Sequence, residues 1–331
     1  GIDEVMIGDT ICTEHSPKAL TRIKVDEPTV AMRFFINNSP FGGKEGKYIQ
    51  SSKIRERLIK EDLVNVAISV ELPEDKESVI LKGRGEFQLV ILIETMRREG
   101  YEFSVGRPEV ILKYRNGIKH EPIECFFVDC HENFLGLVTE KLSTRKGKMV
   151  NLVNNGKGRV RIEFSIPSRA LIGYRDEFLA DTRGTGIMNS YFKGYEPYRG
   201  NFTSRFTGSI VSDRKGSTVA YAIYNLEPRG QLFIKPGDPV YEGMIIGEHN
   251  RPNDIDVNPT KEKKLTNIRA AGKDESITLS PTKTMTLERA INFIRDDELV
   301  EVTPKSIRIR KFELSGKKRR MLKVAVKKTA T

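Results

Sequence analysis

Residues 156–195 read GKGRVRIEFSIPSRALIGYRDEFLADTRGTGIMNSYFKGY and hold the clearest succession of elements in the chain. Apolar and polar residues alternate over 159–167, which is the period of a half-buried strand. Pro167 then breaks the strand, and Ser168 is a suitable N-cap for a helix. Apolar residues follow at helical spacing, namely Leu171, Tyr174, Phe178 and Leu179. Gly184 and Gly186 predict a turn into a further strand.

The order of elements around this stretch occurs twice. Residues 29–106 predict strand, helix, strand, strand, helix and strand, with Gly100 just past the second helix. Residues 110–197 repeat this order with little sequence identity. The order βαββαβ is that of a ferredoxin-like split unit. We therefore predict an α+β fold that begins with two tandem ferredoxin-like domains.

Beyond Pro197 the pattern changes. Short apolar runs separated by Gly, Asn and Pro predict a β-rich domain with one main helix, capped by Thr286. The sequence VEVTPKSIRIRKFEL predicts terminal strands. Residues 251–272 contain few apolar residues and many turn formers, which predicts a long exposed loop of the kind that is often functional.

Charge is distributed unevenly along the 331 residues, whose net charge is +11. Residues 305–328 contain eleven basic residues and one acid, Glu313. Such a segment suits a polyanion, with RNA, DNA and an anionic membrane as alternatives, or it is a solvated tail. Three cysteines are too few for a disulfide framework, and no apolar run is long enough to span a bilayer. We expect a soluble cytoplasmic protein cut from a longer one.

A nucleotide site is the first chemistry to test. Residues 42–47, GGKEGK, resemble a phosphate loop, but that motif needs Gly and Ser or Thr where this chain has Phe41 and Tyr48. The sequence also contains no N-K-x-D tetrapeptide to read guanine. We expect this chain not to bind or hydrolyse GTP by itself.

A metal site can be weighed around His120, Cys125, Cys130 and His131. The odd spacing of the two cysteines places them on opposite faces of a strand, so they could not share one Zn²⁺ without a bulge. Buried thiols are the simpler interpretation. We predict neither a metal site nor catalytic residues.

RNA contact is the remaining chemistry, because Lys and Arg in glycine-containing loops allow close approach to phosphates. The candidates are Lys44, Lys47, Lys157, Arg159, Arg169, Arg175, Arg251, Lys261, Lys263, Lys264, Arg269, Arg308, Arg310, Lys311, Lys317, Lys318, Arg319 and Arg320. For any one of them a solvated surface charge is an equally good interpretation. For the 251–272 loop and the terminal basic segment as units, RNA contact is favoured.

Several phrases of the chain resemble one family. They include NNSPFGGKEGKY, KGRGEFQLVILIETMRREGYE, GKGRVRIEFSIPSRALIGYRDEF, VYEGMIIGEHNRPNDIDVN and DDELVEVTPKSIRIRK. These resemble TypA/BipA, the ribosome-associated translational GTPases of the elongation factor G class. The resemblance implies the end of a β-barrel and a linker at 1–25 and a domain III-like unit at 26–107. It further implies a domain V-like unit at 108–198 and a family-specific C-terminal domain with a basic tail at 199–331.

The same resemblance implies a function. It implies binding to the ribosome at the elongation-factor site, a part in 50S subunit assembly and in stress-adapted translation, and no membrane. A loop matching residues 254–264 is implied to approach 23S rRNA and the A-site tRNA. GTP and Mg²⁺ are implied only for a GTPase domain outside this chain, and a monomer is our default. The alternatives are a protein–protein interaction scaffold with a non-specific basic tail and an RNA-processing enzyme.

Overall fold

The computed structural model describes residues 9–13, 15, 17–21, 27–74, 78–154, 156, 158–203, 205–263 and 278–329. The hairpin predicted for residues 1–22 lies partly outside this set, and its described residues contain no strand or helix. The side chains of 323, 324 and 326–329 are also outside it.

The first unit is a ferredoxin-like domain. Its elements are β1 (Val30–Ile36), α1 (Ser51–Val64), β2 (Ile68–Glu71), β3 (Ser78–Gly83), α2 (Glu86–Arg98) and β4 (Phe103–Val105). The strands form an antiparallel sheet in the order β4-β1-β3-β2. Gly100 follows α2 with a φ of +93°, the left-handed conformation that the sequence predicts there.

The second unit repeats this topology. Two short strands, β5 (Glu109–Val110) and β6 (Lys113–Arg115), precede it. It consists of β7 (Ile118–His131), α3 (Leu135–Thr144), β8 (Lys148–Asn154), β9 (Arg159–Pro167), α4 (Ser168–Leu171), α5 (Tyr174–Asp181) and β10 (Ile187–Pro197). Its sheet order β10-β7-β9-β8 matches that of the first unit, so the tandem arrangement predicted from the sequence is confirmed.

The helix predicted after Pro167 is divided in two. Gly173 has a φ of +73° and separates α4 from α5. Ser168 is the first helical residue rather than the cap, and its hydroxyl has no hydrogen-bond partner among the described residues. The prediction of Ser168 as N-cap was wrong, because the extended residue before the helix is Pro167.

The C-terminal region is β-rich but contains three helices in its described part. Its strands are β11 (Gly208–Ser212), β12 (Gly216–Ser217), β13 (Gly230–Leu232), β14 (Pro239–Val240), β15 (Met244–His249), β16 (Ile255–Val257), β17 (Glu298–Val302) and β18 (Ile307–Lys311). Its helices are α6 (Ala220–Leu226), α7 (Leu287–Phe293) and α8 (Gly316–Thr329). Thr286 caps α7 as predicted, since its hydroxyl accepts the N–H of Arg289 at 3.3 Å.

The first unit and the C-terminal region share one sheet. Strand β17 pairs antiparallel with β4, which gives the strand order β16-β11-β15-β18-β17-β4-β1-β3-β2. One hydrophobic core lies beneath it and contains residues of both parts, such as Leu89 and Met96 of α2 with Leu287 and Ile291 of α7. This shared core fixes the position of the C-terminal region on the first unit.

Candidate nucleic-acid interface

The glycine-rich stretch 42–47 encloses a carboxylate of the protein itself. The backbone N–H groups of Gly43 and Gly46 each donate to the carboxylate of Glu102 at 2.8 Å, as does the Asn37 side chain. Glu102 is fully buried, and a Cβ at Gly46 would overlap its Cβ. The anion-binding geometry that makes this stretch resemble a phosphate loop is therefore occupied internally.

The same stretch contacts the C-terminal region through Glu45. Its carboxylate accepts hydrogen bonds from Thr303, Ser306 and Arg308. Burial opposes ionisation of this group, but the bonds from Thr303 and Arg308 outweigh it and lower the pKa of Glu45. Arg308, a predicted RNA contact, is thus engaged within the protein, and its side chain is only 12% exposed.

Two further candidates on β18 are buried. Lys311 is 1% exposed, and its Nζ lies within 2.9 Å of carboxylate oxygens of Asp254, Asp297 and Glu298. Burial opposes its charge, but these carboxylates raise the pKa of Lys311 above the ordinary value. Arg310 is 2% exposed and donates to Asn38. Both side chains are enclosed within the sheet and cannot contact a phosphate in this structure, which corrects the prediction for them.

Arg169 also has internal partners. It forms an ion pair with the buried Glu121, donates to the carbonyl of Gly200 at 2.6 Å and stacks over the Tyr198 ring at 4.5 Å. Its side chain is 15% exposed. Arg159 is paired with Asp129. Both arginines are thus engaged by partners within the protein.

Apart from Arg319, which is half-buried and paired with Asp256, the other predicted cations are either exposed or outside the described residues. Exposed are Lys44, Lys47, Arg175, Arg251, Lys261, Lys263, Lys317, Lys318 and Arg320. Lys44 lies over the Phe41 ring and Arg175 over the Phe87 ring, at 4.5 and 5.0 Å from the centroids. Lys157, Lys264 and Arg269 lie outside the described residues.

The predicted loop and the terminal basic segment meet at Asp256. This residue lies on β16, which pairs in parallel with β11. The stretch 251–272, predicted to be a loop, therefore contains a strand. Its carboxylate pairs with Arg319 and, at 3.4 Å, with Arg320 of α8. Arg319 also donates to the carbonyls of Glu313 and Leu314, so it positions the start of the helix.

Asn258 fixes where the exposed part of the loop begins. Its side chain accepts from the N–H and the hydroxyl of Thr260, each at 2.9 Å, and the carbonyl of Pro259 accepts from Val219. The exposed Lys261 follows immediately. We define the loop–helix surface as Lys261, Lys263, Lys317, Lys318 and Arg320, which extend from the loop and the helix joined by Asp256. Sequence reasoning missed Asp256, because nothing in its local pattern marks it as a partner of a distant arginine.

The cysteines lie on opposite faces of β7. Cys130 packs in the core of the second unit, whereas Cys125 donates to Glu163 at 3.0 Å on the other face. Burial raises the pKa of both thiols, which keeps them protonated. Across the described ranges no three His, Cys, Asp or Glu side chains group as metal ligands would. No helix within those ranges has the length and apolar character needed to cross a bilayer.

Comparisons with known proteins agree with this architecture. Residues 118–206, which include the second unit from β7 to β10, match the family model described as elongation factor G C-terminus. Residues 207–316 match the model described as TypA/BipA C-terminal domain. The chain belongs to the TypA/BipA family.

Similar proteins are named as assembly factors. The chain is 45% identical, over its whole length and 54% of the relative, to the large ribosomal subunit assembly factor BipA of Bacillus subtilis (strain 168). It is 50% identical, over 97% of its length and 53% of the relative, to the proteins of the same name in Escherichia coli (strain K12) and Salmonella typhimurium. The chain thus spans about half the length of the curated relatives it matches.

Proposed function

We propose that this chain is the ribosome-binding C-terminal portion of a translational GTPase and holds large-subunit RNA through the loop–helix surface. The observation that carries the proposal is the joining of the loop and α8 at Asp256. This joint holds α8 against β16, the strand that leads into the basic loop, and a surface built from both basic segments would attract a polyphosphate backbone. The names of the relatives, large ribosomal subunit assembly factor, favour ribosomal RNA as that polyanion.

The finer parts of the proposal come from the family resemblance. They are docking at the elongation-factor site, contact with 23S rRNA and the A-site tRNA, and a role in stress-adapted translation. Asp254 is tied to Lys311 and Asp256 to α8. Asn258 is bonded to Thr260, so the exposed part of the loop that could make such contacts begins at Lys261. Binding and hydrolysis of GTP with Mg²⁺ belong to the proposal for the whole protein and require a domain outside this chain.

Charge-removing variants with matched controls test the proposal. Replacing Lys261, Lys317 and Lys318 with Ala removes three exposed charges from the loop–helix surface. The control replaces Lys148, Lys193 and Lys235, which are equally exposed but belong to other elements. We expect the first variant to weaken binding to purified 50S subunits and to reduce the salt slope by about 1 per lysine, with an unchanged urea midpoint. An equal loss of affinity for 50S subunits in the control variant would mean that only the net charge of the chain matters, which would contradict the proposal.

A protein–protein scaffold remains the second candidate, because β8 is an exposed edge strand. Val150 and Val153 on β8 are 60% and 47% exposed, and β9 is its only partner within the described sheet. Deleting residues 315–331 discriminates between the two functions. Unchanged affinity for ribosomal RNA after this deletion would favour the scaffold.

A further inference from the structure

Phe312 presents an aromatic ring to solvent directly after β18. The residue is 60% exposed, and its ring meets Phe35 of β1 edge to face, with centroids 5.9 Å apart and planes at 74°. An edge-to-face contact leaves the flat face of one ring open to a further planar group. The position of Phe312 therefore offers a stacking surface that the fold does not use.

The two rings lie in a groove of about 480 Å³ on the shared sheet. The groove is on the face opposite the common core, because the core residues Phe34 and Val300 alternate with its lining residues Phe35 and Leu299.

The charge of the groove favours an anion. Arg33 lines the groove, and no carboxylate lines it within the described residues. The second lining arginine, Arg310, is enclosed and lies 3.6 Å from the carboxylate of the buried Glu301, so Arg33 supplies the exposed charge. Arg33 is exposed and has no carboxylate partner within the described part of the chain. Arg310, buried beneath, donates to the Asn38 oxygen at 2.5 Å and so orients that amide with its NH₂ group available at the rim.

We propose that this groove binds one unstacked nucleotide of single-stranded RNA, with the base on the Phe312 ring and the phosphate at Arg33. The inference rests on the proposed function, to which it adds a second site. Aromatic rings next to arginines are how proteins hold unstacked bases, whereas the bases of a duplex are already stacked and have no free face. Phe312 and Gly316, where α8 begins, are four residues apart, so one strand can follow from the loop–helix surface to the groove.

Two RNA probes and a matched pair of variants test this inference. Fluorescence anisotropy of the full chain measures binding to an oligoadenylate dodecamer and to a dodecamer RNA duplex. The groove variant combines Phe312→Ala with Arg33→Gln. The control combines Tyr114→Ala with Arg115→Gln, an exposed aromatic and an exposed arginine on β6.

We expect the groove variant to bind the single strand about tenfold more weakly and the duplex as the wild type does. The control should bind both probes like the wild type. If the groove variant bound the single strand as tightly as the wild type does, the groove would not be a nucleotide site. The proposed function would still stand. Failure of the wild type to bind either probe would overturn both. Free adenosine 5′-monophosphate at millimolar concentration is added as a competitor. If it abolished the difference in single-strand affinity between the wild type and the groove variant, the occupant would be a free nucleotide rather than an RNA strand, which would overturn the proposal.

Discussion

Glu102 shows how one buried carboxylate organises a loop that otherwise looks functional. It supplies the negative charge around which the backbone of Gly43 and Gly46 is arranged. Hydrogen bonds to a charged, buried acceptor are stronger than neutral ones, and leaving their donors unpaired is costly. The loop in turn carries Glu45 to the C-terminal region, so the effect of Glu102 extends beyond its own unit.

Replacing Glu102 with Gln tests this role. We expect the free energy of unfolding to fall by about 2–3 kcal/mol, because the neutral amide removes the charge and faces one backbone N–H with its own NH₂ group. Urea unfolding followed by circular dichroism measures the change. Glu109→Gln, at an exposed position, should stay within about 0.5 kcal/mol of the wild type. An equally small change at Glu102 would mean that the glycine loop is held by other contacts.

Lys311 is the second residue on which the interior depends. Replacing it with Met leaves Arg205 as the remaining cation paired with the buried Glu298, which also keeps hydrogen bonds from Ser209 and the Arg295 N–H. We expect a loss of about 3–5 kcal/mol at pH 7. Burial opposes ionisation of Glu298, but Lys311 and Arg205 lower its pKa, so its contribution is present above the unfolded-state pKa. That contribution is lost as pH falls through the folded-state pKa.

The difference between Lys311→Met and the wild type should therefore shrink at about pH 3, where carboxylates protonate. Thermal unfolding between pH 3 and pH 8 measures it. Lys305→Met is the control, since Lys305 is exposed in the same hairpin. A difference that did not vary with pH would show that Lys311 contributes packing rather than charge pairing.

At the scale of elements, α8 depends on an ion pair for its position. Arg319 is 12% exposed and Asp256 23%, so water screens their interaction only in part. We expect Arg319→Ala to release the helix and to speed hydrogen exchange of the amides in residues 316–322, without changing that of β18. Lys318→Ala, at the exposed neighbouring position, should leave exchange unchanged. Equal exchange in both variants would contradict the anchoring role of Arg319.

Several elements show how far sequence patterns reach. The two βαββαβ units were predictable because each has its own amphipathic periodicity and turn glycines. Helix α6 was missed because its seven residues, between Gly-containing turns, are too short to establish a helical period; only burial of Ala222, Ile223 and Leu226 identifies its inner face. Strand β16 was missed because its three residues gain their pairing from β11, more than forty positions away.

The candidate site was predictable only in part for the same reason. The strand β18 was predicted, but its basic residues were expected to contact RNA because the sequence does not show their partners. Their partners Glu45, Asp254 and Glu298 come from three other segments, so burial of these charges is a tertiary effect. By contrast, Lys261, Lys317 and Lys318 are exposed as predicted, but their contact with RNA stays a prediction.

At the scale of the whole molecule, the first unit depends on the C-terminal region for its core. We expect a fragment of residues 27–107 to unfold without a cooperative transition, because removal of β17 and α7 exposes an edge strand and part of the shared core. A fragment of residues 108–203, which has its own core, should unfold cooperatively. Calorimetry of both measures this. A cooperative transition of the 27–107 fragment would contradict the dependence.

The loop–helix surface is the feature on which the proposed function depends, and the interaction with RNA that we propose for it is electrostatic. The most direct test is the affinity of the full chain for purified 50S subunits as a function of salt concentration. Neutralisation of about five phosphates predicts that log K falls against log salt with a slope of about −4. An affinity that does not change with ionic strength would contradict the account.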